Sequence, residues 1–378
     1  MKMLEVYLAL SLILNAQRII GYYPYWVQGY HTPESLALET FTHIYHAFAW
    51  PNEEGEIDVP VDSFFDSSLA EYIHNQNRKL ILSLGGWGQS EGFVVSTSDP
   101  QIRTLLISNI IEKIIQYGYD GVDIDWEHPQ NSEQTENLTL FISELDSSLD
   151  AVDPELLISM ALPISNWAGQ WYDMIGLNPY IDFFNAMTYD IHGGWSSDAG
   201  HNSPLYQSPP GDPDGSVEMG INYLTLTRGL SASKINMGIP FWGKKYNTST
   251  INGSFSGEVE DVLYFEIIDL IDNGWNYEWD NIAKCPYLVN DDETNIITYD
   301  NPLSIQYKCE FAKNNTLGGL MVWALGYDEH QNSIESLTNA INMFWLDIDS
   351  NIENILPQKV ILENYPNPFN PSTTIKFY

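Results

Sequence analysis

The sequence contains eight short apolar or β-branched runs, and helical patterns lie between several of them. The runs span residues 18–23, 43–49, 79–84, 121–126, 156–162, 181–188, 235–241 and 319–324. Strands that alternate with helices are joined by right-handed crossovers and run parallel in one sheet. Eight strands is the number that closes a (β/α)8 TIM barrel, which needs about 250 residues or more. The 378-residue chain is therefore predicted to be an α/β barrel with room for additions.

Two of the intervening segments have a clear helical period. Residues 101–116 repeat apolar side chains at intervals of three and four, with Asp99 and Pro100 before them as cap and first turn and Gly118 after them. Thr32 and Pro33 are predicted to open a shorter helix. A further helix carries one apolar face made of Leu138, Phe141, Ile142, Leu145 and Leu149.

One connection is too long for the barrel pattern. Between strands 7 and 8, residues 244–301 contain their own Tyr, Trp and Ile runs, which predicts a small α+β insertion domain. The barrel itself would then occupy residues 17–243 and 302–345. An insertion there would stand beside the C-terminal face, where the active sites of such barrels lie.

Both ends of the chain indicate export. Residues 1–16 place Lys2 before a mainly apolar run that ends at Ala16, the pattern of a signal peptide. Residues 346–362 have the composition of a linker, and residues 363–378 resemble the opening of the C-terminal sorting domain of bacterial type IX secretion, which we expect to be truncated here. We therefore expect a secreted, extracellular protein that meets the secretion machinery through this tail, with cell-surface attachment as one outcome.

The fourth strand carries three acids in alternation. A strand period of two puts Asp123, Asp125 and Glu127 on one side, about 6.6 Å apart per step, and the apolar residues between them on the other. Parallel barrel strands have no solvated face except at their ends, so the acids should point into the barrel, with Glu127 at its C-terminal mouth. Carboxylates crowded in a shielded site cannot all ionise, which would hold Glu127 protonated until its proton is needed.

The net charge of the chain limits the classes of partner that it can bind. With 15 Lys and Arg against 51 Asp and Glu, the net charge of −36 opposes binding to nucleic acid and to anionic lipid. No apolar run of 18 residues follows the first segment, so no membrane insertion is expected.

Cys285 and Cys309 are too few for a disulfide scaffold or a zinc site, and the sequence leaves their pairing open. With no nucleotide-type phosphate loop, and only isolated histidines such as His192, we predict no metal and no cofactor.

The strand-4 motif resembles the signature of a known enzyme family. Residues 120–127 match the DxxDxDxE signature of glycoside hydrolase family 18, and residues 18–345 resemble its chitinases. Supporting motifs fall on other predicted strands, at residues 83–87 (SLGGW), 187–190 (MTYD), 237–241 (MGIPF) and 318–323 (GGLMVW). The insertion, with its YFEI segment at 264–267, looks like that of the family's deep-cleft chitinases.

The resemblance implies a retaining hydrolysis of β-1,4-linked N-acetylglucosamine, in chitin or chitooligosaccharides, in which the substrate supplies the nucleophile. Glu127 would be the acid and then the base, Asp125 would hold the acetamido N–H, and Asp123 would share the proton. Tyr189 would donate its hydroxyl to the acetamido oxygen. Asp120 points the other way and is expected to be structural.

The resemblance also implies sugar contacts. Aromatic platforms suit the apolar faces of sugars. Trp323 would form the floor, with Tyr22 and Phe48 beside it, Trp87 on the leaving-group side, and Met187 and Asp190 completing strand 6.

Two positions depart from the family pattern: His128 and Trp242 stand where the family commonly has tyrosine. Both are kept as substrate-contact candidates. Two alternative functions stay open, a non-catalytic chitin-binding lectin on the same barrel and an endo-β-N-acetylglucosaminidase. We expect a monomer.

Overall fold

A closed barrel of eight parallel strands organises the molecule. The computed structural model describes residues 17–328 and 333–346, and the backbone of residues 363–365 and 374–376. The first strand pairs with both the second and the last, which closes the sheet. Called barrel strands 1 to 8 in chain order, the strands are Arg18–Pro24, His43–Pro51, Lys79–Gly85, Gly121–Asp125, Leu157–Leu162, Phe183–Ala186, Ile235–Pro240 and Gly319–Trp323. The predicted (β/α)8 fold is confirmed.

Helices and helical turns fill the connections. The α-helices are Ser67–Asn75, Glu91–Ser98, Pro100–Tyr117, Ser132–Asp150, Asn166–Gly169, Met174–Leu177, Val217–Asn222, Tyr264–Leu270, Pro302–Asn314 and Leu337–Phe344. Short 3-10 turns occur at Pro33–Ser35, Leu38–Thr40 and Ala232–Lys234, and a π turn at Tyr223–Thr227. Within the described ranges, none of these helices has the length and apolarity that a bilayer crossing requires.

The best-predicted helix begins and ends where its sequence signals lie. Asp99 caps Pro100–Tyr117, because its Oδ1 accepts the backbone N–H of Gln101 and Ile102 at 2.8 and 3.1 Å. At the other end Gly118 has a φ of 76°, a left-handed conformation that glycine adopts without steric cost. The turn predicted after Thr32 is shorter, a single 3-10 turn at Pro33–Ser35.

Apolar side chains fall into an outer and an inner layer. In helix Ser132–Asp150 all five predicted apolar positions are buried against the strands. The inner layer fills the barrel itself and contains Ile20, Tyr22, Tyr45, Ala47, Phe48, Ile81, Phe183 and Met321. The barrel is therefore a packed core.

Strand 6 is shorter than the predicted residues 181–188. It ends at Ala186, because the Thr188 N–H bonds back to the Ala186 carbonyl at 2.8 Å. Met187 still donates its N–H to the Leu162 carbonyl at 3.0 Å, after which the chain turns away from the sheet. The functional motif of this strand thus sits on a loop at the strand's carboxyl end.

The connection between strands 7 and 8 forms the predicted α+β insertion. Its five strands, in sheet order, are Ser256–Leu263, Trp242–Asn247, Ile296–Thr298, Cys285–Asn290 and Trp275–Asp280, all antiparallel, and helix Tyr264–Leu270 follows the first of these. The sheet starts at Trp242, directly after barrel strand 7, so Trp242 belongs both to the insertion and to the mouth of the barrel.

The remaining predicted segments are described only in part. The predicted signal peptide at 1–16 and most of the predicted linker at 346–362 lie outside the described residues. Within 363–378, strands Glu363–Tyr365 and Thr374–Lys376 pair antiparallel. Cys285 and Cys309 are both buried and do not form a disulfide bond with each other.

Candidate active site

Asp123 forms the base of the site and is fully buried. Its Oδ2 accepts hydrogen bonds from Tyr22 and Ser83 at 2.8 and 2.7 Å, and its Oδ1 accepts from Ser159 at 2.7 Å and Asn185 at 3.4 Å. Burial raises the pKa of Asp123, while these hydrogen bonds oppose the rise. The donors come from four different strands, so Asp123 is fixed by the whole barrel.

Asp125 lies above it with unused hydrogen-bonding capacity. Its side chain is almost completely buried, and its Oδ1 has no hydrogen-bond partner among the described residues. Burial raises the pKa of Asp125 well above its usual range, and the neighbouring charges of Glu127 and Asp123 raise it further. A buried carboxyl oxygen without a partner costs free energy, which a ligand N–H or a shared proton would recover.

Glu127 follows the strand and reaches solvent at the barrel mouth, with 14% of its side chain exposed. Its backbone N–H donates to Ser90 Oγ at 2.9 Å. Burial, with a further contribution from the charge of Asp190, raises the pKa of Glu127 to about 7. A substantial fraction of this carboxyl group therefore carries a proton at neutral pH, as a general acid requires. The intervening Val122, Ile124 and Trp126 pack in the outer core, as the alternation predicts.

Tyr189 contributes a hydroxyl group to the same site. The hydroxyl contacts Met321 Sδ at 3.7 Å, and the ring packs edge-on against Trp242, with centroids 5.0 Å apart. Burial raises the pKa of Tyr189 well above its usual range, and the charges of Asp125 and Glu127 act in the same direction. Tyr189 is thus a permanently protonated donor beside the carboxylates.

Trp323 lies at the end of strand 8 among other rings. Its ring stacks on Phe48 at 5.5 Å and 20°, and it lies 5.5 Å from Tyr22 and 6.0 Å from Trp26. Phe48 and Tyr22 are buried, so they support Trp323 from beneath. The Tyr22 hydroxyl is engaged with Asp123, a role that the sequence analysis did not assign to it.

Exposed tryptophans lie on several segments that follow barrel strands. Trp87 is 74% exposed, as a platform on the leaving-group side would be. Sequence reasoning missed Trp26, whose indole N–H donates to the Tyr327 hydroxyl at 2.9 Å. It also missed Trp167 and Trp195, which are 69% and 66% exposed. The available signal was the position of these residues on segments that follow barrel strands.

The loop after strand 6 carries Met187 and Asp190. Met187 packs against the inner layer, and Asp190 adopts a φ of 52° with its N–H bonded to Asn202 Oδ1. Asp190 Oδ1 lies 2.6 Å from Lys244 Nζ, which also contacts Asp261 at 2.6 Å. The sequence analysis missed Lys244, a buried cation that joins this loop to the insertion.

His128 follows Glu127 directly and faces it. Its Nε2 lies 3.5 Å from Glu127 Oε2, and its Nδ1 lies 2.9 Å from the Tyr172 hydroxyl. The imidazole packs edge-on against Trp167 at 5.5 Å. Burial lowers the pKa of His128 to about 4, which keeps the ring neutral at neutral pH.

Two further groups of polar side chains have partners within the described residues. Asp120 accepts the Leu80 N–H at 2.7 Å and contacts His74 at 2.8 Å, consistent with the structural role expected for it. His192, Asp212 and Asp214 bring three potential metal-ligand atoms within 4.8 Å of one another, a group that the sequence analysis did not foresee. His192 Nε2 contacts Asp212 at 2.8 Å, so a direct side-chain pair already accounts for this arrangement.

Comparison with known proteins places the chain in one family. Residues 18–328 match the family model "Glycosyl hydrolases family 18", and the chain belongs to this family. It is similar to Chitinase A1 from Niallia circulans, with 27% identity over 402 residues that cover 84% of this chain and 57% of that protein.

Two further matches agree with this. Probable chitinase 10 from Drosophila melanogaster is 28% identical over 397 residues, which cover 94% of this chain but only 17% of that protein. The chain thus spans less than two thirds of both curated relatives. The crystal structure of Ostrinia furnacalis Group IV chitinase in complex with allosamidin aligns with a TM-score of 0.80 at 27% identity, covering 88% of this chain and 99% of that one.

Proposed function

We propose that this chain hydrolyses β-1,4 linkages between N-acetylglucosamine units of chitin and chitooligosaccharides, with retention of configuration. The observation that carries the proposal is the arrangement of acids on strand 4. Glu127 holds a proton near neutral pH at the barrel mouth, and Asp125 beside it presents an oxygen that has no hydrogen-bond partner within the described part of the chain. This pair can protonate a leaving group and can also bind an amide N–H.

The reaction begins with proton transfer. Glu127 gives its proton to the glycosidic oxygen while the carbonyl oxygen of the 2-acetamido group attacks the anomeric carbon and displaces the leaving sugar. The second carboxylate that other retaining enzymes use as nucleophile is therefore not needed. Glu127, now ionised, takes a proton from water, which attacks the anomeric carbon and restores the acetamido group.

Asp125 and Tyr189 orient the acetamido group. Asp125 accepts its N–H and stabilises the positive charge that develops on the oxazolinium intermediate. The Tyr189 hydroxyl donates to the carbonyl oxygen and holds it for in-line attack. Trp323 supports the sugar ring from below, since aromatic rings pack on the apolar faces of sugars.

The decisive experiment is Glu127→Gln, which keeps the size of the side chain and removes its proton. General acid catalysis contributes about 100-fold or more, so release of chitobiose from colloidal chitin should fall by at least that factor. Glu136→Gln, on the exposed face of helix Ser132–Asp150, is the matched control and should retain wild-type activity. Substantial activity in the Glu127 variant would refute the proposal.

Two assays of the wild-type protein distinguish the alternative functions. Wild-type protein that binds chitin but releases no sugar would indicate the lectin. Cleavage of an N-glycan in preference to a chitin hexasaccharide would indicate an endo-β-N-acetylglucosaminidase. Chitin-type cleavage is favoured because the inserted sheet starts at Trp242, against Tyr189, and extends the mouth of the barrel.

We also propose that the protein acts outside the cell as a monomer. The apolar segment at 1–16 and the resemblance of residues 363–378 to a secretion-sorting segment support export. Assay of the culture medium and the cell surface, with N-terminal sequencing of the mature protein, tests this, and a cytoplasmic protein that retains Met1 would refute it.

A further inference from the structure

The hydrogen bonds around His128 determine which of its ring nitrogens carries the proton. The Tyr172 hydroxyl lies 2.6 Å from the Trp126 carbonyl oxygen, which can only accept, so the tyrosine proton lies between them. Tyr172 must then accept from His128 Nδ1, 2.9 Å away. The proton of the neutral imidazole is therefore on Nδ1, and Nε2 has a free lone pair.

That lone pair faces the general acid. His128 Nε2 lies 3.5 Å from Glu127 Oε2, and 8% of the His128 side chain is exposed. Two lone pairs in such a contact repel when Glu127 is ionised, whereas a protonated Glu127 can donate its O–H to Nε2. A movement of a few tenths of an ångström would close this contact to hydrogen-bond length. The contact thus favours the protonated carboxyl group.

Among the described residues, the hydroxyl groups of Tyr172 and Tyr189 donate elsewhere, to the Trp126 carbonyl oxygen at 2.6 Å and to Met321 Sδ at 3.7 Å. The aromatic neighbour of His128 on its open side is Trp167, whose ring packs edge-on. The charge of Asp190 acts on Glu127, and the charges of Glu127 and Asp123 act on Asp125, so these acidic neighbours disfavour ionisation of both carboxyl groups. The neutral state of His128, maintained by burial, is consistent with this role.

We propose that His128 is a positioning residue whose Nε2 accepts a hydrogen bond from the protonated Glu127 carboxyl group in the free enzyme. This contact keeps Glu127 protonated until a glycosidic oxygen replaces Nε2 as the acceptor. No bond is made or broken in this step, and the proton stays on Glu127. A residue with only a donor at this position would act oppositely, because it would stabilise the carboxylate. The inference rests on the proposed function for its kinetic consequence, but not for the tautomer.

His128→Phe tests the kinetic consequence. It keeps a ring and removes the acceptor, so the Glu127 pKa should fall. The alkaline limb of the kcat/KM profile for a chitooligosaccharide, which reports the free enzyme, should then move to lower pH by about 0.5 to 1 unit. His74→Phe, on the outer face of the barrel, is the matched control and should leave the limb in place.

Tyr172→Phe provides a second route if the first variant does not fold. It keeps His128 but removes the hydroxyl that accepts from Nδ1, so the proton can move to Nε2 and donate to Glu127. The limb should again move to lower pH. The 15N spectrum of histidine-labelled wild-type protein should show His128 with a protonated Nδ1 and an unprotonated Nε2, and Tyr172→Phe should change that pattern.

Three results would overturn the inference: a limb that stays in place in both variants, a limb that moves to higher pH, or a wild-type spectrum with a protonated Nε2. If KM changes while the alkaline limb stays in place, the inference also fails, and His128 would then be a sugar contact. If the wild-type enzyme cleaves no chitooligosaccharide, the proposed function fails instead, and the spectrum still decides the tautomer.

Discussion

At the scale of single residues, the site depends on carboxyl groups that are kept out of water. Asp125 and Glu127 both have raised pKa values because burial disfavours their charged forms. Asp123 beneath them is surrounded by four donors and acts as a fixed acceptor. The same strand thus surrounds Asp123 with hydrogen-bond donors that replace water and leaves Asp125 with fewer partners. Neighbouring acids acquire different roles in this way.

This arrangement should cost stability above the pKa of an unfolded glutamate. The folded-state pKa of Glu127 is about 7, against 4.5 for the free side chain, so the folded state binds more protons between these values. Stability from this proton is complete below pH 4.5 and is lost as the pH rises to 7.

Glu127→Gln, which does not titrate, should therefore be more stable than the wild type at pH 8, by about 1 to 3 kcal/mol, and equal to it near pH 4. Urea unfolding at the two pH values measures the difference. The exposed variant Glu136→Gln should show no such pH dependence. A Glu127 variant that is less stable at pH 8 would contradict the raised pKa.

At the scale of elements, short local signals determine where helices begin and end. Helix Pro100–Tyr117 starts at an aspartate cap followed by proline and ends at a left-handed glycine. Strand 6 illustrates the limit of such signals. Its apolar run continues to Thr188, but the strand ends at Ala186, where a backbone turn replaces the ladder bonds.

The cap gives a direct test at this scale. Asp99→Ala removes the acceptor of two backbone N–H groups and should lower the free energy of unfolding by about 1 kcal/mol. Asp99→Asn keeps an oxygen in the same place and should retain most of the stability. Urea denaturation of the three proteins compares them, and equal losses in both variants would show that charge rather than capping matters there.

At the scale of the whole molecule, a buried ion pair connects the insertion, the barrel and the site. Lys308 Nζ lies 2.7 Å from Asp300 and 2.7 Å from Ser203 Oγ, and the Ser203 hydroxyl donates to the Thr188 carbonyl at 2.6 Å. Asp300 follows the last strand of the insertion, and Thr188 precedes Tyr189. The end of the inserted segment therefore holds the loop that carries the hydroxyl donor.

Local patterns in the sequence were enough to predict the barrel, its strand count, an insertion between strands 7 and 8, and the row of three acids on strand 4. These depend on local patterns: a period of two in strands, a period near 3.6 in helices, and motifs confined to a few residues. Within strand 4, alternation alone places Asp123, Asp125 and Glu127 on one side.

Only the tertiary structure decided what surrounds these acids. The donors of Asp123 come from strands 1, 3, 5 and 6, Lys244 reaches Asp190 from the insertion, and Tyr172 orients His128 across 44 residues. No local pattern marks such partners, because closure of the barrel brings together side chains that are far apart in the chain. The burial that raises the pKa of Glu127 likewise depends on the closed barrel.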